Sequence, residues 1–263
     1  MPRNLKNSIH ASIHFFILFA LAIIVPGKSF ADPAKHKLDA KAILDNIDDM
    51  YRGKSSKGKM IMKVVTEHWS REMTLEFYSR GKDLSLARIL SPKKEKGMAT
   101  LRNGKNIWNY LPKVNRVMKV PSSMMGSSWM GSHFTNDDLV KESRMADDYD
   151  FKVDYQGKRD GQDVIEILCT PKKRAAVVWG KIVVRVRASD YEPLVITYFD
   201  EDMMKSREMR FSDFRKIGGR LIPTTLKMVP EDKPGEYTLV KYEDIDFNVE
   251  LKDSLFTIRG LQR

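Results

Sequence analysis

Few side chains of this 263-residue sequence have the types and spacing that catalysis requires. No HExxH, GxSxG or phosphate-loop motif occurs. Asp137 and Asp138 could suggest paired carboxylates, but neighbouring side chains point to different faces, and their position after Thr135 is typical of a helix cap. His133 has two interpretations, a ligand or base and a solvent-facing loop residue. Three histidines follow residue 31, and no two of them have metal-ligand spacing: His36, His68 and His133. The sequence therefore predicts no enzyme, no catalytic residue, no metal site and no cofactor.

The residue types also indicate the binding of apolar groups. One segment of the sequence concentrates large apolar side chains that could bind them. Residues 121–139 place large apolar side chains among Gly and Ser, with neither strand alternation nor helical period. Gly and Ser free the backbone, and Met adapts its shape, so this composition favours a movable lid over an apolar cavity. In the alternative interpretation the same side chains plug the end of a barrel as core. The predicted lid residues are Met124, Met125, Trp129, Met130 and Phe134.

The segments on either side of this lid must form the container that it covers. A helix is predicted from Asp32-Pro33, which is a good capping pair, to Arg52. Between residues 59 and 247 apolar and polar residues alternate, with turn signals such as Asn103-Gly104 between the segments. The predicted helix has one apolar stripe at helical spacing: Leu38, Ala42, Ile43, Ile47, Met50 and Tyr51.

About eleven strands with few helices imply an antiparallel sheet that must cover one face and protect its edges. We therefore predict a mainly β (α+β) fold, an incomplete and strongly curved antiparallel β-barrel of about 11 strands. An N-terminal helix and a helical or loop lid would cover its apolar cavity, and a closed two-sheet sandwich is the alternative. The alternation alone does not assign which of the two faces of each strand lines the interior. The candidate wall residues of the cavity are Met60, Met62, Met73, Leu75, Phe77, Leu84, Leu86, Trp108 and Tyr110.

Residues 1–31 have the organisation of a secretory signal peptide. Two basic residues precede a short apolar run from Ile13 to Val25, and Ser29-Phe30-Ala31 offers the small residues that a signal peptidase reads. The run is shorter than the ~20 residues that span a bilayer. We expect cleavage near Ala31 and one domain over residues 32–263, and an uncleaved membrane anchor is the alternative.

The basic composition limits the classes of partner. The formal net charge of +11 is compatible with anionic lipid surfaces or acidic ligands. Lys and Arg are spread along the strands rather than clustered, which argues against nucleic acid. The lone Cys169 lies in a strand-like apolar segment, where it is interpreted as a small buried hydrophobe rather than a nucleophile.

Several motifs resemble those of one family. They are Gly97-x-Ala99-x-Leu101, Trp108-x-Tyr110-x-Pro112, Arg116, and the run from Ser128 to Leu139, Ser-Trp-Met-Gly-Ser-His-Phe-Thr-Asn-Asp-Asp-Leu. With them, most of residues 32–263 is similar to the outer-membrane lipoprotein-sorting proteins of the LolA superfamily, which includes LolA-, LolB-, LppX- and RseB-like proteins. At His133 the family pattern usually has Asp.

The resemblance implies an incomplete barrel with a helical lid and a monomeric periplasmic carrier that moves lipoproteins or lipids between the inner and outer membranes. Its partners would be acyl chains, a membrane surface in transient contact, and an inner-membrane transporter of the RND/MMPL or ABC type. The alternative is a periplasmic sensor or adaptor of the RseB type that binds a membrane protein. LolA chaperones hold their lid with an arginine, and no motif identifies that arginine here.

Overall fold

The computed structural model describes residues 38–141, 145–173, 175 and 177–263. The predicted signal peptide of residues 1–31 and the predicted helix start at Asp32-Pro33 lie outside the described residues. Helix α1 is described over Ala40–Arg52, and the Asp39 Oδ1 atom caps it by accepting from the backbone N–H groups of Lys41 at 3.0 Å and Ala42 at 3.2 Å.

The buried stripe of α1 lacks the predicted Ala42 and contains Ala40 and Leu44, which were not predicted. Ala40, Ile43 and Leu44 are buried and Ile47 is half-buried, whereas Ala42 is exposed. Residues at intervals of three and four share one helix face, and Ala42 lies off that face, so its assignment to the stripe was wrong. The side chains of Met50 and Tyr51 lie outside the described residues. The buried stripe holds α1 against strands of the sheet.

In the part of the chain that the structure describes, thirteen strands pair in a single antiparallel sheet. The order is β6-β5-β4-β3-β2-β1-β13-β12-β11-β10-β9-β8-β7, so β6 and β7 are edges and the sheet is not closed. The strands are β1 Ser55–Val65, β2 Ser70–Arg80, β3 Leu84–Ser91, β4 Ala99–Asn103, β5 Asn106–Leu111, β6 Arg116–Lys119, β7 Tyr149–Arg159, β8 Gln162–Pro171, β9 Lys181–Arg187, β10 Pro193–Phe199, β11 Lys205–Ile217, β12 Arg220–Pro230 and β13 Tyr237–Phe247.

This sheet confirms the predicted mainly β fold, a curved antiparallel sheet that forms an incomplete barrel. The expected count of about eleven strands was two short. The short β6, with four residues, still pairs with β5 and extends that edge. The pairing of β1 with β13 places the first and last strands side by side in the middle of the sheet.

Both faces of the sheet carry apolar clusters. The inner face, defined by Met62, Met73 and Leu75, shares its cluster with α1 and with residues of the lid segment. The outer face near β3–β5 is covered by the C-terminal segment, a short 3-10 helix at Asp253–Phe256 and helix α4 at Ile258–Leu261. Burying a large apolar side chain stabilises by about 1.5–3 kcal/mol, so both covers stabilise the sheet.

The lid segment leaves β6 and crosses the inner face. It contains two 3-10 helices at Ser122–Met124 and Trp129–Gly131, and continues into helix α2 at Asn136–Lys141 and helix α3 at Met145–Asp148. The predicted capping box at α2 is confirmed. The Thr135 N–H donates to Asp138 Oδ2 at 2.7 Å, and the Asp138 N–H donates to Thr135 Oγ1 at 3.2 Å.

Candidate functional site

A large cavity lies between the inner face of the sheet, α1 and the lid. Its empty volume is about 1560 Å³ with the space at its open mouth included. Its apolar lining comes from the sheet, from α1 and from the lid region: Met60, Phe77, Leu84, Val184, Ile196, Phe211, Leu226, Val240 and Tyr242; Leu44 and Ile47; Trp129, Phe134, Leu139 and Met145.

A second, smaller cavity extends the apolar space past the lid. Its empty volume is about 460 Å³, and it shares Phe134, Asp138 and Met145 with the large cavity. The remaining lining is mostly apolar and aromatic: Asp137, Tyr149, Val177, Trp179, Ile182, Tyr198, Met209 and Met228. These three residues therefore border both apolar spaces.

The structure places the nine predicted wall residues in three groups. Met60, Phe77 and Leu84 line the large cavity. Met62, Met73 and Leu75 are fully buried in the core cluster of the inner face. The others belong to the outer-face cluster, beneath the C-terminal segment, and are not brought to the cavity: Leu86, Trp108 and Tyr110.

The register explains the position of the outer-face group, against which Leu84, two residues before Leu86 on β3, also packs. Phe77 is paired with Ala87, whereas Tyr78 is paired with Leu86, and Leu101 is paired with Trp108. Adjacent positions on a strand point to opposite faces, so an offset of one residue sends a side chain to the other side of the sheet.

The predicted lid residues are also divided. Trp129 and Phe134 line the large cavity, and Trp129 is 7% exposed. Met130 contacts the inner-face cluster from a left-handed backbone conformation with φ of 51°. Met125 is half-buried, while Met124 is 50% exposed. Two aromatic side chains therefore enter the apolar space, and one methionine faces solvent.

A buried arginine on β11 fastens the far end of the lid. The Arg207 guanidinium donates to both carboxylate oxygens of Asp138, at 2.9 and 2.5 Å, and to the carbonyl oxygen of His133 at 3.1 Å. The Cζ atom of Arg207 lies 4.5 Å from the ring centroids of both Trp179 and Tyr198. Charge-assisted hydrogen bonds are stronger than neutral ones, and the planar guanidinium can form two of them in parallel while it stacks on aromatic rings. We call Arg207 with Asp138 the lid latch.

Two further contacts hold the middle of the lid. Arg71 at the start of β2 donates to the carbonyl oxygen of Met130. The indole Nε1–H of Trp129 donates to Thr100 Oγ1 at 3.1 Å, and Thr100 is itself hydrogen-bonded to Asn109 Oδ1 at 2.7 Å. The polar atom of an otherwise apolar side chain is therefore satisfied inside the cavity wall.

His133 is tied to the hairpin between β12 and β13. Its Nε2 lies 3.0 Å from Glu236 Oε2, and its Nδ1 lies 2.9 Å from Thr238 Oγ1. The backbone N–H of His133 also donates to Thr238 Oγ1 at 2.9 Å. The hydrogen bond from His133, followed by one from the backbone N–H of Glu67, lowers the pKa of Glu236. The side chain of His133 thus connects the lid to the sheet.

Polar and charged side chains also line the large cavity. Three cations and three carboxylates belong to the lining: Arg52, Lys82, Arg102, Asp45, Asp48 and Asp138. Three serines complete the polar part of the lining: Ser56, Ser79 and Ser85. The lining of the cavity is therefore amphipathic.

Catalytic chemistry finds little support among the described side chains. Within residues 38–141, 145–173, 175 and 177–263, no group of three or more His, Cys, Asp or Glu could hold a metal ion. Cys169 is buried, as predicted, and burial raises the pKa of its thiol to about 12, which keeps it protonated at neutral pH. Desolvation, followed by the charge of Asp190, raises the pKa of Glu192 to about 7, and Glu192 does not line either cavity.

Sequence reasoning missed the residues of the second half of the sheet and the latch. Val184, Ile196, Phe211 and Leu226 line the cavity from β9 to β12, and their two-residue alternation was the available signal. Arg207 carries no local signal, because its partner Asp138 is 69 residues away.

Solved structures of other proteins share this fold. A domain described as an outer membrane lipoprotein-sorting protein, from Vibrio parahaemolyticus, is 22% identical with a TM-score of 0.73, and the match covers 84% of this chain and 97% of that chain. A DUF1329 family protein from Desulfovibrio piger is 23% identical with a TM-score of 0.75 and the same coverage. A LolA superfamily protein from Nitrosomonas europaea is 21% identical with a TM-score of 0.70, and covers 83% of this chain and 97% of its own. The chain has the LolA-superfamily fold, which confirms the predicted resemblance.

One sequence-family model also matches most of the chain. The model described as "Uncharacterized protein" matches residues 81–263, and the chain belongs to that family. No curated protein matches the sequence. In the described part of the chain, every helix is too short or too polar to cross a bilayer.

Proposed function

We propose that this chain is a periplasmic carrier that binds the acyl chains of lipoproteins or lipids in its cavity and moves them between the inner and outer membranes. The observation that carries the proposal is the cavity of about 1560 Å³ between the inner face of the sheet and a lid that inserts Trp129 and Phe134 into it. A burial of ten methylene groups contributes about 8 kcal/mol at roughly 0.8 kcal/mol each, which corresponds to micromolar affinity before the costs of association.

The lid provides the exchange that a carrier requires. In the closed state Trp129 and Phe134 occupy part of the apolar space, so the empty cavity does not expose all of its wall to water. When acyl chains enter, these two side chains must move out of the cavity. The polar contacts that oppose this movement include the lid latch, the bond from Arg71 to Met130 and the bond from Trp129 to Thr100. The hydrogen bonds of His133 to the hairpin between β12 and β13 add to them.

The residues proposed to contact acyl chains follow from the lining. Met60, Phe77 and Leu84 belong to the predicted wall, and Met62, Met73 and Leu75 form the core that supports it. The wall continues across the second half of the sheet through Val184, Ile196, Phe211, Leu226, Val240 and Tyr242.

Export and partners complete the proposal. The apolar run and small residues of 1–31 support secretion with cleavage near Ala31, and leave one domain at 32–263. The description of the Vibrio relative as a lipoprotein-sorting protein supports a cargo with acyl chains. An inner-membrane RND/MMPL or ABC-type transporter is the proposed donor, with transient contact at the membrane surface.

The first test is whether the protein carries acyl chains at all. Residues 32–263, purified from the periplasm, should release lipid on solvent extraction, and the delipidated protein should bind a fluorescent fatty acid. Replacing Trp129 and Phe134 together by Asp should reduce this binding at least tenfold, because two charges would enter the apolar space. Met124→Asp is the matched control, since Met124 belongs to the lid but is 50% exposed.

The outcomes separate the two functions. A protein that contains no lipid and does not respond to acyl probes would refute the carrier. If the same protein retained a specific membrane protein in pull-down experiments, the sensor or adaptor function would replace it.

A further inference from the structure

Two turns at one end of the sheet gather exposed basic side chains. Because β3, β4, β5 and β6 are successive antiparallel neighbours, the turn at residues 92–98 and the turn at residues 112–115 lie at the same end. The two turns adjoin, since a Cβ atom on Gly97 would lie 3.6 Å from the Cγ atom of Pro112. Six exposed cations belong to these turns and to β6, and we call them the basic edge: Lys93, Lys94, Lys96, Lys113, Arg116 and Lys119.

The basic edge has little compensating charge. Residues 92–98 and 112–119 contain these six cations and one carboxylate, that of Glu95. Glu95 pairs with Arg71 at 3.5 Å and with Lys94 at 3.9 Å. Among the described residues, no ion pair or side-chain hydrogen bond engages the other cations of the two turns and the first residue of β6: Lys93, Lys96, Lys113 and Arg116. The next turn, between β1 and β2, has Glu67 and no Lys or Arg, so the basic edge ends there.

Exposed apolar side chains lie on the same surface. Val114 is 67% exposed in the turn between β5 and β6, and Met118 is 39% exposed on β6. The N–H of Asn115 donates to the carbonyl oxygen of Pro112 at 3.1 Å, which closes the turn and holds Val114 outside the sheet. Apolar groups among cations are typical of protein surfaces that bind anionic lipid, because apolar burial and electrostatic attraction add.

The position of the basic edge beside the lid favours a membrane over an acidic protein as its partner. β6 is an edge strand, and the chain passes directly from Lys119 into the lid segment. Met124 follows five residues after Lys119 and is 50% exposed. A membrane in contact with the basic edge would therefore meet the start of the lid that covers the cavity.

We propose that the basic edge, with Val114, docks this protein on the anionic lipid surface of a membrane. The inference rests on the proposed function, since it assigns the surface through which the carrier meets a membrane during transfer of its cargo. The six cations come from two separate segments of the sequence, and the pairing of β3 to β6 joins them. Each basic residue near an anionic membrane surface strengthens binding about fivefold.

The test measures binding to vesicles of two compositions. Protein purified from the periplasm is sedimented with phosphatidylcholine vesicles that contain or lack phosphatidylglycerol. We expect tighter binding when phosphatidylglycerol is present, and loss of this preference in high salt, because salt screens surface charges. Lys113→Gln should weaken the binding about fivefold. Lys96→Gln combined with Lys113→Gln should weaken it about 25-fold, because both turns contact one surface.

Matched controls separate a docking surface from general attraction. Lys105 is an exposed lysine in the turn at the other end of β5, and Lys105→Gln should keep the natural affinity. Val114→Ser should weaken binding by a factor that salt does not change, because apolar burial is not screened. Val178→Ser makes the same substitution at a valine that is 46% exposed between β8 and β9, and should have no effect.

The outcomes distinguish this inference from the carrier. Equal binding to the two kinds of vesicle, or equal effects of Lys113→Gln and Lys105→Gln, would overturn the docking surface, while intact binding of a fluorescent fatty acid would leave the carrier in place. A protein that ignored the fatty acid but preferred phosphatidylglycerol through Lys113 would overturn the carrier and keep the docking surface. Binding of poly-glutamate without binding to either kind of vesicle would overturn the lipid surface in favour of an acidic protein partner.

Discussion

The lid latch should limit how readily the cavity accepts an acyl chain, and Asp138→Asn tests this. Asp138 both receives the bidentate bonds of Arg207 and caps α2. Thr135 is the N-cap of α2, and an Asn at position 138 still has an oxygen that can accept from the Thr135 N–H, so the substitution keeps the capping box and removes the charge and one acceptor oxygen. The guanidinium of Arg207, which is 5% exposed, then has an amide oxygen as its partner in place of a carboxylate.

The magnitude follows from the contacts that change. Removing one partner of a buried ion pair costs about 3–5 kcal/mol, and a hydrogen bond to a charged group is worth about 1.5–3 kcal/mol. Because Asn can still accept one bond from Arg207, we expect the closed lid to lose about 2 kcal/mol, which is a factor of about 30 in its equilibrium with the open lid. Where the closed state dominates, the dissociation constant of an acyl ligand should fall by up to about 30-fold, since a larger fraction is competent to bind.

Two measurements check this expectation. A fluorescent fatty acid titrated into delipidated protein should bind more tightly and more quickly to Asp138→Asn than to the natural chain. Amide hydrogen exchange should accelerate in residues 122–141 while the central strands β1 and β13 stay protected. Asp137→Asn, with the same charge change one residue earlier in α2, is the control. Unchanged exchange in the lid, or weaker binding of the probe, would contradict the role of the latch.

Two further predictions concern the tether of the lid and the outer face. Because the folded state lowers the pKa of Glu236, chiefly through the hydrogen bond from His133, the ionised carboxylate stabilises the protein above the ordinary carboxyl pKa, and this contribution is lost as pH falls through the lowered value. Glu236→Gln should therefore reduce the loss of stability seen by thermal denaturation as pH falls below the ordinary carboxyl pKa, whereas Glu231→Gln in the same hairpin should not. Equal behaviour of the two variants would exclude the tether. Leu86→Ala should lower the free energy of unfolding by about 2–5 kcal/mol in denaturant titrations without changing acyl affinity, because Leu86 belongs to the outer face. Phe77→Ala, by contrast, should weaken acyl binding, because Phe77 lines the cavity. A matching loss of acyl affinity in Leu86→Ala would mean that the outer face also holds lipid.

The alternation of apolar residues was sufficient to predict the strands but not to assign their faces. A sheet buried on one face reveals its interior through that alternation. Here strands β3 to β5 are buried on both faces, because the C-terminal segment places Phe256 and Leu261 over the outer face. Leu86 and Trp108 then look from sequence like cavity walls. The apolar tail was visible in the sequence, but its position was set by packing between distant parts of the chain.

The lid was predictable from composition because flexibility and apolar bulk are properties of the residues themselves. Its attachments were not, since they depend on which of 46 basic residues meets it. Arg207 and Arg71 come from β11 and β2, on opposite sides of the β1–β13 pair in the sheet order, and reach the same segment from two directions.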